Sequence, residues 1–201
     1  MTDSPRMLEG YRVLDFTQYV AGPTCSRLLA ELGAEVVKLE LAPGGDRVRD
    51  WGLKPRGARS SHSTYYMQHH HTKLSFAIDM KKPEARGLVM SMVPKFDVLV
   101  ENFAPGVIKR LGFSYEDVKK VNPRIIMCSV SMGGQTGPLS DKAGYDLIGQ
   151  AYAGVTDGIG EPDRAPSIIG MAIGDVSTEW PLRWECAPHC CIANAPARDS
   201  I

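Results

Sequence analysis

Short apolar runs alternate along the chain with longer segments whose apolar residues recur at helical spacing. Arg12 to Phe16 (RVLDF) is the first run and reads as a buried strand. Ala21-Gly22-Pro23 interrupts it. Thr24 is placed to cap a helix through Ser26 to Leu32, and Gly33 is placed to end it. Glu35 to Glu40 (EVVKLE) is short and β-branched, a second strand. Together they form a strand-helix-strand unit of roughly 30 residues, the unit that builds parallel sheets.

The pattern then repeats. Leu74 to Asp79 reads as a strand, and Pro83 opens a helix that Pro94 stops. Phe96 to Val100 is a strand running into Glu101-Asn102-Phe103. Pro105 introduces a short helix through Arg110, stopped by Gly112. Ser114, with Glu116 and Asp117 behind it, starts another helix. Arg124 to Val130 is a strand, Gly133 to Pro138 a loop, and Tyr145 to Tyr152 a helix. Ile168 to Ile173 is a further apolar run, read as a strand that delivers Asp175 to its end. The fold class expected is α/β, a Rossmann-like, mostly parallel sheet with flanking helices.

Two stretches fall outside this rhythm. Pro43 to Ser63 is rich in Gly, Arg and Ser and has no period, so it is expected to be a functional or mobile loop. From Glu179 onward neither period is present, and Trp, Pro and Cys crowd together.

Composition narrows the function. Lys and Arg number 23 and Asp and Glu number 23, a formal net charge of zero, which argues against a nucleic-acid binder with a strongly basic surface. No apolar run approaches the roughly 18–20 residues that span a bilayer. Residues 1–6 lack a basic flank followed by an apolar stretch, so no secretory signal is visible. A soluble, cytoplasmic protein is the expectation.

In open α/β sheets, ligands bind beyond the carboxyl ends of the strands. Asp15, Gln18, Gly22, Glu101, Asn102, Phe103, Ser131 to Gly137 and Asp175 are the polar or permissive residues expected there. A nicotinamide site needs G-x-G-x-x-G after the first strand, and Val20 to Cys25 does not supply it. No G-x-x-x-x-G-K-[ST] is present either. His69-His70-His71 cannot all face one ion, because consecutive residues point in different directions, and it reads as a polar loop. Cys186, His189, Cys190 and Cys191 fit no common structural zinc spacing, so no metal is expected. Without a G-x-S-x-G elbow, a carboxylate is the nucleophile left to consider. On residue type alone Asp175 is open to two roles, helix cap or nucleophile.

At these residues the chain resembles the class III CoA-transferase family, the group of formyl-CoA transferase, carnitine CoA-transferase and α-methylacyl-CoA racemase. The segments that carry the resemblance are Val13-Leu-Asp-Phe16, Ala21-Gly-Pro23, Leu32 to Glu40, Asp97 to Phe103, Pro105-Gly106 and Leu111-Gly-Phe113. Asn122 to Ile126, Gly134 to Pro138, Gly144-Tyr-Asp146 and Gly174-Asp-Val-Ser-Thr178 follow, in family order across residues 8 to 178.

The resemblance implies a mechanism. An Asp attacks the acyl-CoA thioester to give a mixed anhydride. CoA thiolate returns to form an aspartyl-CoA thioester, and the acceptor acid takes up CoA through a second anhydride. Asp175 stands in that place, with backbone donors for the oxyanion expected partly from Ser131 to Gly137. CoA is substrate, and no other cofactor is implied. Val20, Ile78, Asn102, Phe103, Arg110, Lys142 and Tyr145 match the CoA-lining positions of the formyl-CoA branch. Leu41 stands where that branch has a basic residue, and Gln18 where it has a His. The racemase branch uses a His where Tyr145 stands, and a phenol with a pKa near 10 substitutes poorly for imidazole. The transferase is therefore the expected activity, with a racemase or a non-catalytic CoA-binding fragment as the alternatives.

Family members continue into a second, smaller domain and form interlocked homodimers. Residues 179–201 do not match that continuation. Codons in the neighbouring frame can be chosen that spell the family's Ala-rich helix and Thr-Gly-x-Gly-Gln segment. The expectation is an α/β domain over 1–178, a frameshifted tail over 179–201, no second domain, and little activity in this chain.

Overall fold

The computed structural model describes residues 6–55 and 62–178. The tail and its cysteine cluster lie outside the described residues. Five strands form one sheet: β1 (Arg12–Asp15), β2 (Glu35–Glu40), β3 (Leu74–Ala77), β4 (Val98–Glu101) and β5 (Ile126–Ser129). Their spatial order is β3-β2-β1-β4-β5, and every neighbouring pair is parallel. Helices α1 (Ala21–Glu31), α2 (Thr64–His70), α3 (Pro83–Met92), α4 (Val107–Arg110) and α5 (Tyr115–Val121) connect and flank the strands. Two further helices follow β5, α6 (Asp146–Tyr152) and α7 (Ile173–Ser177).

The alternation of side chains along a strand explains why both faces of the sheet are covered. Val13, Val36, Val98 and Val100 point to one face and pack with Leu8, Leu29 and Ala30. Leu14, Leu39 and Leu99 point to the other, against Phe16, Val89, Val93, Phe113 and Val118. Parallel strands buried on both faces read as continuous apolar runs, which is why the sequence discloses them.

The helix starts are explained locally. Pro83 occupies the first turn of α3, where its missing N–H is harmless. The Ser114 hydroxyl accepts the Asp117 amide at the start of α5. Three expectations are corrected. Helix α1 begins at Ala21, with Pro23 inside its first turn; Thr24 is no cap, and its hydroxyl donates back to the Val20 carbonyl at 2.8 Å. His69 and His70 end helix α2 and are buried, so this segment is no polar loop. Residues 168–172 form no strand, and Asp175 sits inside the short helix α7.

Candidate active site

Because all five strands are parallel, their carboxyl ends lie along one edge. The order reverses direction between β1 and β4, the position where open α/β sheets leave a crevice. The chain closes this crevice with a clasp. The Asn102 carboxamide accepts the Gln18 amide at 2.7 Å and donates to the Gln18 carbonyl at 2.8 Å. Gly22 makes the clasp fit: a Cβ there would lie 2.6 Å from Thr17 Cβ and 2.7 Å from Asn102 Cγ. Directly after Gln18, Tyr19 holds φ at +66°, a left-handed conformation that costs a non-glycine residue about 1–3 kcal/mol. Its ring stands between Trp51 and Tyr145, with centroids 5.4 and 5.9 Å away.

Beneath this edge lies a buried charge network. The Asp15 carboxylate is fully enclosed. It accepts the Ser26 hydroxyl at 2.6 Å, the Thr17 hydroxyl at 2.5 Å and the Lys73 ammonium at 3.2 Å. Burial alone would raise its pKa, but Lys73, Lys38 and the two hydroxyls outweigh burial and hold it below the usual carboxylate range. Burial lowers Lys73 to about 8, against the opposing pull of Asp15. Lys38 pairs with Asp46 at 3.1 Å and donates to the Thr17 carbonyl. Glu40 accepts two bonds from Arg49 at 2.7 Å. Burial raises Glu40, yet Arg49, the Asp46 amide and Ser75 bring it down to about 2. Burial also drives His69 down to about 4 and so keeps it neutral, with Nδ1 2.9 Å from the Thr24 hydroxyl.

Asp175 has the opposite surroundings. It is half-buried in α7, and no described residue donates a hydrogen bond to its carboxylate. Burial, followed by the negative charge of Asp146, pushes its pKa up to about 6. It remains mostly ionised at neutral pH. Nor is it the cap of its helix. The Asp146 Oδ1 takes that place, accepting the amides of Gly174 at 2.7 Å and Asp175 at 3.1 Å. Of the two roles open on residue type, the capping one falls to Asp146. Helix α7 packs on α6 and on α1, which itself starts at the end of β1. Cys25, near the start of α1, lies with Sγ 3.9 Å from the Thr178 carbonyl, so α7 sits beside the amino-terminal part of α1.

The other sequence-predicted residues distribute along the same edge. Val20 follows β1 and is buried, Ile78 follows β3, and Asn102 and Phe103 follow β4. Ile78 and Phe103 are half-buried and back onto the same core cluster. Arg110 ends α4 and is exposed. Lys142 is exposed, with Asp141 3.8 Å away, and Tyr145 precedes α6 with most of its ring in solvent. The loop 131–137 follows β5.

The profile of CoA-transferase family III matches residues 8–180 of the 201. The chain belongs to this family. Among curated family III relatives, it is 42% identical over 171 residues to succinyl-CoA–D-citramalate CoA-transferase of Chloroflexus aurantiacus, covering 85% of this chain and 42% of that protein. It is 41% identical over 176 residues to succinyl-CoA:glutarate CoA-transferase of Mus musculus, covering 88% and 40%. The crystal structure of a CaiB/BaiF family protein from Brucella suis superposes with a TM-score of 0.84 at 35% identity, covering 94% of this chain and 50% of that one. The chain thus spans about two-fifths of the length of the curated relatives it matches.

Within this family III fold, sequence reading missed the residues that hold the edge together. Asp46 and Lys73 carry no motif, and Lys38 stood inside the matching segment Leu32–Glu40 without a role. Asp146 stood inside a matching segment without a role, and Gln150 stood in none. Charged residues inside a short β-branched strand, Lys38 and Glu40 in EVVKLE, were the available signal, because an unpaired buried charge is prohibitive. Among the described residues no helix is long and apolar enough to cross a membrane, and no cluster of three or more metal-ligating side chains forms.

Proposed function

We propose that the protein is a CoA-transferase that moves CoA between an acyl-CoA thioester and a free carboxylic acid, with Asp175 as the nucleophile. The observation that carries the reading is the state of Asp175. It is a half-buried carboxylate to which no described residue donates a hydrogen bond, raised to about 6 yet ionised at neutral pH. Such a group keeps its lone pairs available for a carbonyl carbon.

In the first step an Asp175 oxygen bonds to the thioester carbon, and the carbon–sulfur bond breaks to release CoA thiolate. The thiolate then attacks the Asp175 carbonyl and expels the donor's carboxylate, leaving an aspartyl-CoA thioester. The acceptor carboxylate attacks that thioester and releases CoA thiolate, which takes the acceptor's acyl group and returns Asp175 as a carboxylate. Atoms balance without water, metal or redox partner. Arg110 and Lys142, both exposed, suit the CoA phosphates, and Phe103 suits the adenine face. Val20, Ile78 and Tyr145 would line the remainder. The side chain of Asn102 is engaged by Gln18, so its part would be to shape the wall.

The names of the relatives make succinyl-CoA with a dicarboxylic acceptor the first pair to test. Incubation of the full chain with succinyl-CoA and hydroxylamine should convert Asp175 to its hydroxamate, read by peptide mass spectrometry. The same product in Asp175→Asn at another residue, or none in the wild type, would overturn the reading.

A further inference from the structure

Helix α7 holds only five residues, too few to sustain itself in isolation. Its start has no capping side chain of its own, since Ala172 precedes it. The first amides of a helix lack intrahelical partners and need outside acceptors. Here the acceptor arrives from another helix. Asp146, 28 and 29 positions earlier, places Oδ1 on the amides of Gly174 and Asp175. Its second oxygen is fixed in turn, because the Gln150 Nε2 donates to Asp146 Oδ2 at 2.6 Å. Gln150 is 1% exposed. Its Oε1 accepts the Ile169 amide at 3.1 Å, and its Nε2 also lies 3.3 Å from the Ile169 carbonyl and 3.4 Å from that of Met171.

Two side chains one helical turn apart on α6 therefore grip residues 169, 171, 174 and 175 of the segment that carries the nucleophile. Gly174 keeps the grip close: a Cβ there would lie 3.1 Å from Asp146 Oδ1.

We infer that Asp146, braced by Gln150, is a positioning residue for Asp175: it fixes the helix that aims the nucleophile and places a second carboxylate beside it. The inference rests on the transferase reading and adds to it. A neutral Asn could accept the same two amides. The carboxylate adds repulsion toward an ionised Asp175, and this repulsion is relieved when Asp175 becomes a neutral anhydride or thioester. The grip thus favours acylation as well as orientation. Among the described residues of the elements packed against α7, Asp146 on α6 accepts its first amides and Cys25 on α1 lies with Sγ 3.9 Å from the Thr178 carbonyl.

The test uses Asp146→Asn and Asp146→Ala in the full chain, with circular dichroism to check folding. The first readout is a carboxyl carbon NMR titration of Asp175, assigned by its loss in Asp175→Asn. It needs no turnover. In Asp146→Asn the Asp175 midpoint should fall below that of the wild type. The second readout is the pH dependence of hydroxamate formation from succinyl-CoA. Its acid limb should move down with the midpoint in Asp146→Asn, while Asp146→Ala loses about a hundredfold in rate, as a misaimed group does, with little change in KM. Asn should restore part of what Ala loses. An unchanged midpoint, together with wild-type rate and pH profile in Asp146→Asn, overturns the inference alone. A lowered midpoint with no hydroxamate in any variant supports the hold of Asp146 on Asp175 and overturns the transferase reading alone.

Discussion

Two carboxylates in this molecule, Asp15 and Asp175, illustrate opposite uses of burial. Asp15 is fully enclosed, yet its pKa is held below the ordinary value because Lys73, Lys38, Ser26 and Thr17 converge on it. Asp175 is only half-buried, yet it rises to about 6, because burial and then the charge of Asp146 push it up and no described residue donates a hydrogen bond to its carboxylate. Depth does not decide the outcome; partners do. A carboxylate tied by four groups is part of the scaffold, whereas one to which no described residue donates keeps its lone pairs uncommitted.

The widest separation between the two sites should appear in activity. Asp175→Asn removes the proposed nucleophile and should lower CoA transfer by roughly a thousandfold or more while leaving the thermal unfolding cooperative. A variant that transfers CoA at the wild-type rate would break the comparison. Next in size is Lys73→Met, which strips the ammonium from Asp15 in a site where both groups are buried. Breaking such a pair costs about 3–5 kcal/mol, read as a loss of denaturant midpoint. Gly174→Ala should cost roughly 1–2 kcal/mol by forcing Asp146 back, with slower hydroxamate formation.

The smallest effect concerns the sign of the pH dependence. Glu40, lowered from 4.5 to about 2, adds stability above about pH 4.5 that is lost as pH falls toward 2. Asp175, raised from 3.8 to about 6, acts in the other direction: the folded state is favoured at low pH, and that advantage is lost as pH rises from about 4 through 6. Asp175→Asn should therefore gain Tm relative to the wild type at pH 7 and not at pH 4. An equal difference at both values would remove the contrast.

Much of the fold was legible in the sequence because parallel strands buried on both faces must be apolar throughout. The runs around Val13, Val36 and Val98 announced themselves for that reason. The helices opened by Pro83 and Ser114 were legible from their first residues. Misreadings fell where distant packing overrides local character. His69 and His70 look polar, but burial beside Thr24 and Lys38 keeps them neutral at the end of a helix. Ile168 to Ile173 looks like a strand, but Gln150 takes up its backbone groups instead of a neighbouring strand. The same separation explains the site. Asp175 was found through resemblance, whereas its support by Asp146 depends on a contact across 29 residues that no local pattern encodes.

The clasp between Asn102 and Gln18 has a consequence for how the protein assembles. Strands β1 to β3 join along neighbouring stretches of chain, as do β4 and β5, but β1 meets β4 only after some 85 residues of separation. Long loops close late, because their entropy is lost before their contacts form. The Gln18 amide is bonded to Asn102 across that seam, so it gains protection from solvent exchange only once the two halves have joined. In a pulse-labelling refolding experiment its deuterium should be retained later than that of Glu35, whose amide bonds to the Tyr11 carbonyl within the first half. That single amide is a natural clock for the joining of the two halves of the sheet.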